Sequence, residues 1–364
     1  MRQALRVGAG LIAVALLAVG CAKPSTSSTT TTTAKFTGCM VTDTGGINDK
    51  SFNQTSWQGM QAAVATNPSK IAVKYLPSST TSDYAKNIST FISEKCGIIV
   101  TVGFLMGSAT EAAAKANPKQ KFAIVDCSYA SACLTGTKEP NIDQLVFNTV
   151  QDAFLGGYLA AGMTKTRKVA TYGGEKFGTV TIYMDGFWDG VQYYNKQHHT
   201  HVQVLGWSEP TQNGTFAGSF TNLTAGQTIA NTFIHEGADI IFPVAGGVGL
   251  GSAKAVQAAD TSGKNISMYW VDTDGCVSAA TYCQYFITSV EKGIATAVKG
   301  AVVSAATGTF KGGSYIGTIA NGGAVLAPFH DYATKIPSSL QAELKTVQQA
   351  IISGSIVPAT KSPV

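Results

Sequence analysis

The chain alternates between short apolar runs rich in β-branched residues and longer stretches with apolar residues at helical spacing. The short runs predict strands at "CMVTD", "IAVKYL", "GIIVTVG", "KFAIVD" and "QLVFNT". The longer stretches predict helices over 50–66, 82–95, 107–117 and 150–164. Strand–helix alternation of this kind indicates a parallel sheet covered by helices on both faces.

The same pattern restarts after residue 165. Strands are predicted at "KVATYGG", "HVQVLGW", "ADIIFPVAGG" and "ISMYWVD", with helices over 184–197, 224–236 and 249–260. The sequence therefore predicts two successive α/β units, both doubly wound.

The last ninety residues are harder to assign to either unit. After residue 275 come a strand-like "YFITSV" and an amphipathic segment from 291 to 306 that could return to the first unit. "PSSLQAELKTVQQAIISG" predicts a final helix that ends at Gly354. We predict a first lobe of 37–149 plus 276–312, a second lobe of 150–275 plus 313–340, and a C-terminal helix and tail over 341–364.

The N-terminus has the pattern of an export signal. Arg2 and Arg6 precede the apolar "VGAGLIAVALLAVG", and Cys21 follows directly. This predicts a lipoprotein signal peptide over 1–21, with lipid on Cys21 as the membrane anchor at the extracytoplasmic face. A plain secretory signal with an incidental cysteine is the alternative. Residues 22–36 are rich in Ser and Thr and predict a flexible tether.

Composition argues against several classes of function. The chain is 45% hydrophobic and 13% charged, and its net charge of +5 comes with no basic cluster, which disfavours a nucleic-acid partner. Neither a G-x-S-x-G elbow nor an H-E-x-x-H helix occurs, so we expect no enzyme, cofactor or metal. "HHTH" at 198–201 falls between a helix and a strand and is interpreted as an exposed loop rather than a metal site through His199 and His201.

Six cysteines remain when Cys21 is set aside, an even number for an exported chain. Cys127 with Cys133, and Cys276 with Cys283, are near enough in sequence to close small loops. Cys39 and Cys96 each precede a strand-like run and could meet if those strands are neighbours. Three disulfides are therefore expected. Zinc is the alternative, although the spacings do not resemble paired C-x-x-C knuckles.

Polar residues and glycines stand where the predicted strands end. These positions are Asp43, Gly103 with the adjacent Phe104, Asp126, Gly246 and Asp272. In doubly wound sheets, ligands bind beyond the carboxyl ends of the strands. Two units facing each other would bring these positions to one cleft, which predicts a ligand site built from both halves.

The stretch "GGINDKSFNQTSWQGM" at 45–60 marks a turn from the first strand into a helix. Its two glycines allow a sharp turn, after which Ser51 or Asn53 could expose polar groups and Phe52 could present a ring to the cleft. Alternatively, Ser51 or Asn53 caps the helix and Phe52 staples it to the core.

Several segments, in this order, resemble the basic membrane protein family, the nucleoside-binding lipoproteins of ABC transporters. They are "VTDTGGINDKSFNQTSWQGM", "VGFLMGSA", "FAIVD", "LVFNTVQDAFLGGYLAAGMTKTRKVATYGG", "GADIIFPVAGGVGLG", "VDTDG" and "ITSVEKG". The resemblance implies the type I periplasmic-binding-protein fold, in which two α/β domains joined by three crossover segments close over the ligand. It also implies capture of a nucleoside, a purine above all, for an ABC permease.

The resemblance also implies roles for particular residues. Phe52 would stack on the base beside Asn53, Asp126 would hydrogen-bond the base, and a second ring would come from Tyr183, which we prefer, or Phe187. The ribose would be held by Gly246, Gly247, Asp272 and Lys292, and Asp43 matches the family's acidic residue after the first strand. The chain departs from the family at Asn48, at "VDTDG" and at Glu291.

Two other functions are compatible with parts of the sequence. The same fold could bind a sugar or another small solute, with Phe52 against a pyranose. A dinucleotide-dependent enzyme would use "DIIFPVAGGVGLG" and Asp272, but the glycine spacing is G-G-x-G-x-G rather than G-x-G-x-x-G.

Overall fold

A computed structural model describes residues 35–136, 138–362 and 364. The predicted signal peptide over 1–21, its Cys21 and the tether up to residue 34 lie outside these residues. Within the described residues, no helix is both long and apolar enough to cross a membrane. The first strand begins at Phe36, one residue inside the predicted tether.

The strands and helices of the first half of the chain match the predicted alternation. The strands are β1 Phe36–Val41, β2 Ile71–Leu76, β3 Ile98–Val102, β4 Phe122–Val125 and β5 Ile142–Phe147. The helices between them are α1 Phe52–Thr66, α2 Asp83–Ser93 and α3 Gly107–Ala116. The buried positions Tyr84, Ile88 and Phe91 of α2 show the spacing that places one apolar face of a helix on a sheet.

The pattern then repeats. The next elements are α4 Val150–Met163, β6 Lys168–Gly173, α5 Gly178–His198, β7 Gln203–Leu205, the hairpin strands β8 Trp207–Ser208 and β9 Asn213–Gly214, α6 Leu223–His235, β10 Ile240–Val244, α7 Gly249–Thr261 and β11 Ser267–Asp272. The chain continues with α8 Gly275–Ser278, β12 Phe286–Lys292, α9 Ile294–Thr307, β13 Gly313–Gly317, β14 Ala324–Leu326 and α10 Ser338–Ile352.

Two six-stranded sheets organise these elements into two domains. The first sheet has the order β13-β5-β4-β3-β1-β2 and the second the order β14-β12-β11-β10-β6-β7. Neighbouring strands are parallel except β14, which runs antiparallel to β12. Helices cover both faces, with α1 and α9 opposite α2 and α3 on the first sheet, and α4, α5 and α10 opposite α6 and α7 on the second. Because the strands are parallel, their carboxyl ends lie at one edge of each sheet.

The chain passes between the two domains three times. It crosses between β5 and α4, between β12 and α9, and between β13 and β14. Three crossovers are what the family resemblance implies.

The predicted lobe boundaries are wrong at two strands. β12 was expected in the first lobe with the rest of 276–312, but it pairs with β11 in the second sheet. β13 was expected in the second lobe with 313–340, but it pairs with β5 in the first. The reason is that an apolar run predicts a strand without indicating its partner, and the partners here lie in different parts of the chain. The final helix also begins at Ser338, ahead of the predicted boundary at 341.

The three expected cysteine pairs are bonded in the structure, which excludes the zinc alternative for these residues. Cys39 bonds to Cys96, Cys127 to Cys133, and Cys276 to Cys283. The first bridge joins β1 to the turn before β3, whereas each of the others closes a short loop beyond a strand end.

Candidate functional site

A pocket of about 670 Å³, part of it open to solvent, lies between the carboxyl ends of the two sheets. Ten of the predicted residues line it: Asp43, Phe52, Asn53, Gly103, Asp126, Tyr183, Gly246, Gly247, Asp272 and Lys292. They come from both domains. The strand-end argument therefore located the pocket, because parallel strands deliver their following residues to a common edge.

Two predicted residues do not line the pocket. Phe187 is fully buried in the core of the second domain, where its ring packs against Phe242 and Tyr269, so the choice of Tyr183 over Phe187 agrees with the geometry. Ser51 was expected to expose its hydroxyl, but it is buried and its Oγ donates to Asp272 Oδ2 at 2.8 Å. Phe187 lies four residues after Tyr183 in α5, which places it one helical turn further from the strand ends.

Three phenylalanines that were not predicted as ligand residues also line the pocket. Phe104 follows β3 in the first domain, whereas Phe177 and Phe220 precede α5 and α6 in the second. The rings of Phe104 and Phe177 are stacked with centroids 5.2 Å apart, and Phe177 is stacked on Phe220 at 6.5 Å. Strand-end reasoning placed Phe104 beside Gly103 at the predicted cleft without giving it a ligand role, and it could also have found Phe177 after "KVATYGG". Phe220 lies in a long loop that carries no such signal.

The start of α1 is capped by Asp49. Its carboxylate accepts hydrogen bonds from the backbone N–H groups of Ser51, Asn53 and Gln54 at 3.0, 2.8 and 3.0 Å. Ser51 occupies the N-cap position, but its side chain makes no capping hydrogen bond, and Asn53 lies inside the helix, so neither side chain caps α1 as the sequence had allowed. An acidic cap is favourable here because the helix N-terminus carries partial positive charge.

This cap also orients Asn53. The amide nitrogen of Asn53 donates to Asp43 Oδ1 at 2.6 Å and to Asp49 Oδ2 at 3.2 Å. The amide oxygen of Asn53 has no hydrogen-bond partner among the described residues. A buried acceptor without a donor is costly, and this oxygen is available as an acceptor at the pocket.

A single ammonium group connects the carboxylates of the two domains. Lys292 Nζ pairs with Asp126 Oδ2 and lies 3.6 Å from Asp272 Oδ1, and all three side chains are at most 8% exposed. The same ammonium lies 5.4 Å from the centroid of the Phe52 ring and 4.9 Å from that of Tyr183. Tyr183 donates its hydroxyl to Asp272 Oδ1 at 3.0 Å.

Burial changes the acidity of these groups. Desolvation raises the pKa of Asp43 to about 6 despite the hydrogen bond from Asn53. Desolvation also raises the pKa of Asp126 to about 6, partly offset by Lys292. Burial by itself would lower the pKa of Lys292, but Asp126 and Asp272 together raise it, so the lysine stays charged at neutral pH.

Hydrogen bonds also join the domains beside the pocket. Trp270 Nε1 donates to the carbonyl of Lys50 at 2.9 Å, and Ser51 Oγ lies 3.1 Å from the carbonyl of Val271. Together with the Asp126–Lys292 pair and the Phe104–Phe177 stack, these contacts hold the two domains in a closed arrangement.

The last glycine of the G-G-x-G-x-G run has a packing role within α7. A Cβ on Gly251 would lie 1.9 Å from the carbonyl oxygen of Leu223, so Gly251 permits the close approach of α7 and α6. The carboxylate of Asp272 already has three protein partners: it accepts hydrogen bonds from Ser51 and Tyr183 and forms an ion pair with Lys292. Contacts within the protein therefore explain the positions of Gly251 and Asp272, and a dinucleotide-binding role is not needed to account for either residue.

The chain is similar in sequence to proteins of one known family. A family model described as "ABC transporter substrate-binding protein PnrA-like" matches residues 36–361. The "ABC transporter nucleoside-binding protein BmpA" of Lactococcus lactis is 30% identical over 96% of this chain and 97% of the relative. "Basic membrane protein A" of Borreliella burgdorferi is 27% identical over 87% of this chain and 86% of the relative.

A solved structure is similar in fold. A solute-binding protein of an ABC transporter system from Aeropyrum pernix superimposes with a TM-score of 0.80 at 22% identity, covering 90% of this chain and 94% of the other. This similarity confirms the predicted fold class of two parallel-sheet α/β domains. The family match, which spans most of the described chain, shows that this chain belongs to the PnrA-like family of ABC transporter substrate-binding proteins.

Proposed function

We propose that this chain captures a nucleoside, with a purine base preferred, between its two domains and delivers it to the permease of an ABC transporter. The single observation that carries this proposal is the composition of the pocket, in which aromatic rings and buried carboxylates face a shared space.

The aromatic groups suit a flat heterocycle. Phe52 from the first domain and Phe177, Tyr183 and Phe220 from the second line the same pocket. Rings of this kind stack on a planar base and contribute about 0.5–1.5 kcal/mol per pair beyond the burial of area. Because the rings come from both domains, stacking on both faces of a base would favour the closed arrangement.

The polar groups suit the hydroxyls and N–H groups of a nucleoside. Asp126, Asp272 and the free oxygen of Asn53 are acceptors, whereas Lys292 is a donor. A ligand group that donates to Asp126 would compensate its charge in place of part of the interaction with Lys292. The charge of Lys292 would remain compensated by Asp272, 3.6 Å away. Two relatives support this assignment, since the Lactococcus protein is named as nucleoside-binding and the Borreliella protein bears the name of the family.

Closure would link capture to delivery. Ligand contacts to both domains shift the population from open to closed forms, and a permease that recognises the closed form receives only loaded protein. The three crossovers are where such a motion would bend the chain. The pocket's task in this scheme is binding rather than catalysis.

Substrate-binding proteins of ABC transporters are extracytoplasmic, and the three disulfides are consistent with an oxidising compartment. We further propose that lipid on Cys21 anchors this chain to the outer face of the cell membrane. Mass spectrometry of the protein from membranes would test this, because a C21A variant should lose the lipid mass and leave the membrane fraction.

Isothermal titration of the chain lacking residues 1–34 tests the binding proposal. Inosine, adenosine and guanosine should bind tightly, cytidine more weakly, and ribose alone should give little heat. D126A should weaken binding by about tenfold or more, since a ligand donor would lose its buried acceptor. Unchanged binding by D126A would remove the role of Asp126, and tight binding of a monosaccharide with no nucleoside binding would replace the nucleoside with a sugar.

A further inference from the structure

The two carboxylates on either side of Lys292 occupy equivalent places in the two domains. Asp126 follows β4 and Asp272 ends β11, and each strand is third in the order of its sheet. Both residues have a positive φ, +59° for Asp126 and +67° for Asp272. Aspartate adopts this left-handed conformation more often than most residues with a side chain, but it remains uncommon, and the surrounding structure favours it at both positions.

A short disulfide loop follows Asp126. Cys127 is its immediate neighbour in the chain and bonds to Cys133, six residues later. A Cβ on Gly107 would lie 2.6 Å from Cys133 Sγ and 2.9 Å from Cys127 Sγ, so the bridge is packed directly against the first residue of α3. The turn that carries Phe104 immediately precedes that residue. The Cys127–Cys133 bridge therefore adjoins the backbone that carries two pocket residues, Asp126 and Phe104.

A second short loop follows Asp272. Cys276 bonds to Cys283, seven residues later. Just before this loop, Asp274 accepts a hydrogen bond from the Cys276 N–H at 2.9 Å, and the N–H of Gly275 donates to Ser289 Oγ of β12 at 2.9 Å. The loop is thereby attached to the strand that ends in Lys292.

The third bridge lies elsewhere. Cys39 and Cys96 join β1 to the turn before β3, at the amino-terminal side of β3 and away from its end at the pocket. It closes a separation of 57 residues, compared with 6 and 7 for the short loops. Chain-entropy arguments assign the greater stabilisation to the longer loop.

We propose that the Cys127–Cys133 and Cys276–Cys283 bridges are positioning devices for ligand binding, which hold Asp126 and Asp272 in their left-handed conformations at the two sides of the pocket. The Cys39–Cys96 bridge serves the stability of the first domain. The four cysteines of the short loops act through the carboxylates and need not touch the ligand. This inference rests on the proposed function, because it assumes that the two carboxylates bind the solute.

Three matched variants test the division of roles. C127S/C133S, C276S/C283S and C39S/C96S are compared with the unaltered chain by titration with inosine, at a temperature where circular dichroism shows each to be folded. The two short-loop variants should weaken binding by about tenfold, since a relaxed aspartate leaves its left-handed conformation. C39S/C96S should bind within about twofold of the unaltered chain while showing the largest decrease in Tm.

Several results would overturn the inference. These are binding by both short-loop variants within twofold of the unaltered chain, or an equal loss of affinity in C39S/C96S. Failure of both short-loop variants to fold would also overturn it, because the bridges would then serve the fold. If C127S/C133S alone does not fold, C276S/C283S decides the question.

A readout that needs no ligand separates this inference from the nucleoside proposal. Carbon-13 NMR titration of the Asp126 carboxyl in ligand-free protein should show its pKa moving toward the ordinary aspartate value in C127S/C133S but not in C39S/C96S. If the unaltered chain binds no nucleoside, the proposed function fails and this titration still tests positioning. If the pKa of Asp126 in C127S/C133S equals that in the unaltered chain, the positioning role of this bridge is contradicted.

Discussion

Lys292 Nζ and Asp126 Oδ2 form a buried ion pair whose two members belong to different domains. Asp272 Oδ1 lies 3.6 Å from the same ammonium, so one cation serves two buried carboxylates. Charges out of water are stable only when paired, and removing one partner leaves the others uncompensated. Lys292 therefore links domain closure, pocket electrostatics and stability.

The K292M variant should be destabilised. We expect a loss of about 3 kcal/mol in the free energy of unfolding at neutral pH, because two carboxylates remain buried without a cation. Urea denaturation followed by circular dichroism measures the loss. D126N/K292M should recover part of it, and K335M, which alters an exposed lysine above Tyr332, should change stability by no more than about 0.5 kcal/mol. A K292M protein as stable as the unaltered chain would contradict the role assigned to this pair.

Ligand affinity should decrease as the pH falls through 6. Burial raises the pKa of Asp126 to about 6, and the proposed ligand donor needs the ionised form as its acceptor. Below that pH, binding must release a proton from Asp126, which costs up to about tenfold in affinity per pH unit. Titration of inosine at pH 5, 6 and 7 measures this slope, and D126N should flatten it. Equal slopes in D126N and the unaltered chain would assign the titration to another group.

Stability of the ligand-free protein should depend on pH in the opposite direction. The folded-state pKa of Asp126 and that of Asp43 are both raised to about 6, so between about pH 4 and 6 the folded state binds more protons than the unfolded state. Their stabilising contribution is complete below the unfolded pKa and is lost as the pH rises through 6. Thermal unfolding across this window should show a smaller decrease for D43N/D126N than for the unaltered chain. Parallel curves would contradict the raised values.

Closure can be tested without altering a residue that lines the pocket. S51A removes the hydroxyl that bonds to Asp272 Oδ2, and it should weaken nucleoside binding by about fivefold because the closed form loses a buried hydrogen bond of about 1 kcal/mol. Small-angle scattering of the ligand-free variant should show a larger radius of gyration. S56A is the matched control, since among the described residues the partner of Ser56 Oγ is Phe52 O, within α1. A result in which S56A weakens binding as much as S51A would assign the effect to α1 itself.

Replacement by alanine should change the stability of the protein in opposite directions at two helical glycines. A Cβ on Gly157 would lie 2.0 Å from the carbonyl oxygen of Phe187, so G157A should force α4 and α5 apart and cost about 2–3 kcal/mol. Gly300 in α9 is exposed, and no described atom lies within 4 Å of a new Cβ, so G300A should stabilise the protein by about 0.5–1 kcal/mol through helix propensity. Thermal unfolding of both variants measures the difference. A stable G157A would show that the two helices can separate without cost.

Much of the fold was predictable because its signals are local. The apolar runs of β3 and β11 and the helical spacing of α2 are set by which faces must be buried, and these patterns lie within a few residues of one another. The strand-end positions of Asp43, Asp126 and Asp272 followed from the same periodicity, since a parallel sheet places all such ends at one edge. The assignment of β12 and β13 failed because strand pairing joins residues that are distant in the chain.

The sequence by itself determined the alternation of elements, the two α/β units and the residue types at the strand ends. Only the tertiary structure decided that Lys292 pairs with Asp126, that Ser51 bonds to Asp272 and that Phe187 lies in the core instead of the pocket. It also brought Phe220 to the site from a loop with no local signal. The physical reason is that the periodicity of apolar residues indicates which face of an element is buried. It does not indicate which side chains will be neighbours. That depends on how separate elements pack and on which charges must be compensated where the two domains meet.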